Sequence, residues 1–81
     1  MEKKIIINST VGLHASLAAK VVQTASKYDV EIELLYHDKV VDVKSILGLI
    51  SLAIPSGEDV LLIANGKDAE VAVEEIAKIL S

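Results

Sequence analysis

The stretch Val30-Glu31-Ile32-Glu33-Leu34-Leu35-Tyr36-His37-Asp38-Lys39-Val40-Val41-Asp42-Val43 decides the fold class. Val30, Ile32, Leu34 and Tyr36 alternate with Glu31, Glu33 and Leu35. A period of two marks a strand with one face buried and the other wet. His37-Asp38-Lys39 reads as a tight turn, so Val40 to Val43 returns as a second strand in a hairpin. Glu31 and Glu33 then belong to the wet face and do not form a catalytic carboxylate pair. His37 reads as a solvated turn residue and not as a metal ligand.

Working outward, Lys4 to Ile7 is β-branched and predicts strand 1, closed by the polar turn Asn8-Ser9-Thr10. Ser16 to Lys27 predicts helix 1, because Leu17, Ala18, Val21, Val22 and Ala25 fall on one face of a 3.6-residue period. Beyond the hairpin, Lys44-Ser45 opens a short helix through Leu52, with Ser45 a favoured N-cap residue. Leu49 and Leu52 are expected in the core. Pro55-Ser56-Gly57 is a break, Val60 to Ala64 is strand 4, and Asn65-Gly66 ends it. Asp68 to Leu80 predicts helix 3, capped by Asp68, with Ala69, Ala72, Val73, Ile76, Ile79 and Leu80 inward and Glu70, Glu74, Glu75 and Lys78 outward.

The predicted order is β-α-β-β-α-β-α. Short connections and one hairpin favour an α+β fold: an open-faced two-layer sandwich with a four-stranded antiparallel sheet and all helices on one face. The crossover from strand 1 through helix 1 to strand 2 should be right-handed, with room for strand 4 between those two. At 81 residues the chain is expected to form a single domain over 1–81. It contains no cysteine, which excludes disulfides and thiolate metal sites. Its core must come from apolar packing, and 52% of its residues are hydrophobic.

A net charge of −4 argues against nucleic acid and against anionic membranes. The apolar run from Ile46 to Ile54 is too short to insert in a bilayer. No secretory signal is legible at the start, so the expected location is cytoplasmic. No metal site and no cofactor is expected.

One constellation carries chemistry: Gly12-Leu13-His14-Ala15-Ser16-Leu17-Ala18-Ala19 places a histidine where a helix begins. A helix start offers unpaired N–H groups and a partial positive charge, which together make an anion site. A neutral imidazole there can accept a phosphoryl group, and the amides of Ser16 and Leu17 can then hold it. Ser45 admits two readings: a cap alone, or a cap whose phosphorylation would be held at a helix start. Leu17, Leu47 and Ile50 are expected to form an exposed aliphatic patch near His14. Lys20, Lys27 and Lys44 would rim it and steer an acidic partner.

On Gly12-Leu13-His14-Ala15, Val22-Gln23-Thr24-Ala25-Ser26-Lys27, Lys44 to Leu52, and Ala64 to Gly66, the chain resembles the HPr family of the bacterial sugar phosphotransferase system. The likeness runs nearly its full length. It implies the same sandwich fold and a phosphocarrier histidine at His14. That residue would be charged by enzyme I at the expense of phosphoenolpyruvate and discharged to sugar permease components. In many Gram-positive relatives a kinase phosphorylates the serine that corresponds to Ser45. Some HPr-like proteins use that form to bind a transcription factor instead of carrying phosphate. The family pattern continues after the histidine with alanine or threonine, then arginine, then proline. Here Ser16 and Leu17 replace the last two, which implies slower transfer or a regulatory module. Nothing demands more than a monomer.

Overall fold

The computed structural model describes residues 1–10 and 12–81. Its elements are β1 (Glu2–Ile6), α1 (Ala15–Ala25), β2 (Glu31–Tyr36), β3 (Lys39–Asp42), α2 (Ile46–Ser51), β4 (Asp59–Asn65) and α3 (Ala69–Leu80). The four strands form one antiparallel sheet in the order β1-β4-β2-β3. β4 therefore inserts between the strands joined by α1. The fold is the expected open-faced sandwich in the expected order of elements.

The period of two sorts side chains between the faces. Ile32 and Leu34 on β2, with Val60, Leu62 and Ala64 on β4, are buried beneath the helices. Their neighbours Glu31, Glu33, Leu61 and Ile63 point to the other face, which none of the described helices covers. α1 packs against α2 and α3, and α3 lies across the sheet. Among the described residues no charged or polar side chain is buried, so the core is aliphatic throughout.

Several boundaries differ from the sequence expectation. β1 starts at Glu2, because pairing with β4 extends the ladder to Glu2↔Ile63. Ile7 lies just past the strand yet is fully buried, and its backbone exchanges hydrogen bonds with Glu58 and Gly57. The hairpin turn has only two residues, since Tyr36 pairs with Lys39 and His37 takes a positive φ of 56°. α1 ends at Ala25, short of Lys27, where Ser26 and Lys27 close a tighter turn.

On α3, Asp68 occupies the N-cap position but makes no side-chain cap bond. Its backbone, with ψ at 21°, is not in the extended conformation that usually aims a cap side chain at the helix amides. Glu75 is the one acidic residue of this helix whose outward placement needs correction. It is half-buried and accepts a hydrogen bond from the Tyr28 hydroxyl.

Candidate functional site

Gly12 opens the site. Its φ of +76° is a left-handed conformation that glycine adopts without strain. A side chain there would also collide with the segment after α2: a Cβ would lie 2.4 Å from the Ile54 carbonyl oxygen and 2.9 Å from Pro55 Cα. The next residue completes the clasp, as the Leu13 amide donates to that same Ile54 carbonyl at 2.8 Å and its side chain is buried. The approach to His14 is thus fixed by a segment some forty positions downstream, a contact with no local sequence signal.

His14 is the N-cap of α1, with φ −110° and ψ 176°. Its carbonyl accepts the Ala18 amide at 2.8 Å, closing the first helical turn. Its imidazole makes no cap bond and is half-buried. The first-turn amides of Ala15, Ser16 and Leu17 therefore have no acceptor within the helix. Ala15 and Ser16 are exposed, whereas Leu17 is half-buried against the core. Leu17 accordingly contributes an amide at the helix start and only part of its side chain to the surface.

Ser45 caps α2, its hydroxyl accepting from the Gly48 amide at 3.1 Å. Gly48 keeps this cap uncrowded, since a Cβ there would lie 3.2 Å from the Ser45 hydroxyl oxygen. Ser45 is exposed. Leu47 is 77% exposed and Ile50 37%, while Leu49 is fully buried, matching the expected division of this short helix. Ile46 adds a further exposed aliphatic side chain that the sequence reading did not single out.

The lysines separate. Lys20 is exposed on α1. Lys27 is exposed beyond the helix C-terminus, about 20 Å from His14 at 1.5 Å per residue. Lys44 is half-buried and committed: its ammonium donates to the Tyr28 carbonyl at 2.8 Å, so it braces the end of α1. His37 is exposed as expected, although it lies 3.6 Å from the Glu58 carboxylate and against the Tyr36 ring. Among the described residues, no group of three His, Asp or Glu side chains is placed to hold a metal ion. None of the helices described is long and apolar enough to cross a membrane.

The small open-faced sandwich thus presents a histidine at one helix N-cap and a serine that caps a short neighbouring helix. The family model described as the phosphotransferase-system HPr component phosphorylation site matches residues 1–81, and the chain belongs to that family. It is similar to HPr-C-His from Thermoanaerobacter tengcongensis at 40% identity and a TM-score of 0.93, covering 99% of this chain and 90% of that one. It is similar to the phosphocarrier HPr of Bacillus anthracis at 34% identity and a TM-score of 0.95, over 100% and 96% of the two chains. Crh of Bacillus subtilis, a catabolite repression protein that forms an intertwined, swapped dimer, matches at 38% identity and a TM-score of 0.80, over 96% and 90%.

Proposed function

We propose that this chain is a working phosphocarrier. His14 accepts a phosphoryl group from enzyme I, itself charged by phosphoenolpyruvate, and passes it to sugar permease components. One observation carries the reading: His14 caps α1 with its backbone alone, leaving its ring uncommitted beside first-turn amides that the helix does not use. The lone pair of a neutral ring nitrogen forms the N–P bond as the bond from phosphorus to the donor breaks. The donor leaves with the electron pair of the broken bond; in onward transfer an acceptor group attacks phosphorus and His14 leaves with the pair of its N–P bond. The amides of Ser16 and Leu17 hold the phosphoryl oxygens between the two steps. Leu47, Ile50 and the exposed part of Leu17 dock the partner proteins, with Lys20 and Lys27 steering, and the working unit is a monomer.

Incubation with phosphoenolpyruvate and enzyme I from the same organism tests this. The expected product is an acid-labile adduct on His14 that His14→Ala abolishes. An intact chain that stays unmodified rejects the reading.

The likeness to Crh and the Ser16-Leu17 pair favour a second reading, a regulatory module switched by a kinase at Ser45 that engages a transcription factor. Aspartate is also a favoured N-cap residue, so Ser45→Asp should leave the fold intact while weakening docking to enzyme I. Equal binding of the variant and the unmodified chain removes the switch.

A further inference from the structure

The sheet face that none of the described helices covers is organised in rows. Across the four strands, Lys4, Leu61, Leu35 and Val40 are direct partners, and the next outward row is Glu2, Ile63, Glu33 and Asp42. Ile6 pairs with Asp59 at one end of the face and Glu31 with Asn65 at the other. Val40 and Ile6 are each about half exposed, at 51% and 54%. A shallow depression of about 600 Å³ bounded by Leu35, Leu61 and Lys4 continues the aliphatic row toward His37 and Glu58.

Charge on this face is one-sided. Glu2, Glu31, Glu33, Asp42 and Asp59 stand against Lys4 alone, which pairs with Asp59 at 3.2 Å. The seven remaining lysines balance the seven remaining carboxylates, so the open face accounts for the whole net charge of −4. Glu33 and Asp42 are directly opposite each other across the ladder. Like charges so placed destabilise a sheet, and no ion pair among the described residues relieves them. Asp42 accepts only the neutral Lys44 amide, at 2.9 Å, so an aliphatic row flanked by carboxylates without a cation is complementary to a partner that is apolar along one line and cationic beside it.

We infer that the open sheet face is a docking surface for a cationic amphipathic helix of a partner protein, separate from the surface around His14. The aliphatic row of Leu61, Leu35 and Val40 crosses three strands, about 10 Å, which is the length of roughly six helical residues, and Lys4, held by Asp59, closes its β1 end. The acidic row lies about 7 Å to its side, within reach of lysine or arginine side chains that leave the helix flank. A second copy of this chain fits poorly, because self-association would set the entire net charge of one molecule against that of the other. Nucleic acid and anionic lipid carry the same sign as the face and are repelled.

The test is titration of the isotope-labelled full chain with a synthetic helical Leu/Lys peptide, followed by NMR. Two control peptides replace every leucine by serine or every lysine by glutamate. The Leu/Lys peptide should shift the outward residues of all four strands and spare α1 and α2. The serine peptide should bind at least about tenfold more weakly, because the buried leucines are lost. Glu33→Lys, which relieves the repulsion with Asp42 and so preserves the fold, should weaken the Leu/Lys peptide about tenfold. Val40→Thr should weaken it without touching charge. The proposal is overturned by equal binding of the serine peptide, which would mean diffuse charge attraction only. It is equally overturned by shifts centred on α1 and α2, by insensitivity to Glu33→Lys, or by a concentration-dependent dimer that occupies the face.

Discussion

A phosphoryl dianion at the first turn of α1 would meet backbone amides, but amides are neutral donors. The family places an arginine where this chain has Ser16, and a charge-assisted hydrogen bond contributes about 1.5–3 kcal/mol. Ser16 is exposed, so a longer side chain can extend from that position without displacing the core. Ser16→Arg is therefore expected to speed phosphoryl transfer to His14 roughly ten- to hundredfold. Rapid-quench measurement of the adduct would show it; an unchanged rate would mean that charge at this position does not limit the step. Leu17 acts in the opposite sense from the family proline. It leaves φ less restricted but supplies an N–H that proline lacks, so the helix start gains a donor as it loses a cation.

At the scale of elements, the end of α1 is tied to α3 by the Tyr28 hydroxyl donating to Glu75, and the β2–β3 hairpin is tied to the start of β4 by Tyr36 donating to Glu58. Only a protonated phenol can donate, so each bond, aided by partial burial and the nearby carboxylate charge, raises that tyrosine's pKa above its ordinary value. A folded pKa above the unfolded one gives stability that is full below the unfolded value, near pH 10, and lost as pH rises through the folded value. Tyr28→Phe should thus flatten the decline of stability above about pH 10, with Tyr36 left to account for the remainder. Denaturant melts across that range check it, and an unaltered slope would refute the role of the Tyr28–Glu75 bond. These ties also mark the limit of what is legible in the chain. The hairpin and the Ser45 cap are readable because their signals are local: alternation in one case, a serine before a helical run in the other. The helix start at His14 was readable for the same reason. Glu2 and Lys3 carry no apolar signal, and their strand conformation is imposed by β4. Tyr28 and Glu75 are 47 residues apart, and the Gly12 clasp on Ile54 is similarly distant, so no local pattern announces either.

At the scale of the whole molecule, an 81-residue chain without cysteine has a narrow margin, roughly 4–12 kcal/mol at typical values per residue. Its core is aliphatic, with no buried polar network among the described residues, so stability depends on volume filled at the centre of the sheet. Leu62 is fully buried on the inner strand β4, paired with Leu34 on one side and Lys3 on the other. Leu62→Ala should cost about 2–5 kcal/mol, a large part of the total. For a domain of this size that lowers the melting temperature by roughly 10–30 °C. Leu61, the next residue on the same strand, faces the uncovered side and is only partly buried. Leu61→Ala removes the same atoms with neighbouring density on one side only, and should cost less than half as much. Calorimetry on the pair isolates the contribution of the helical layer, because chemistry, strand and sequence neighbourhood are matched. Equal losses would mean that the outer face is covered in solution, and the aliphatic row proposed as a docking surface would then already be occupied.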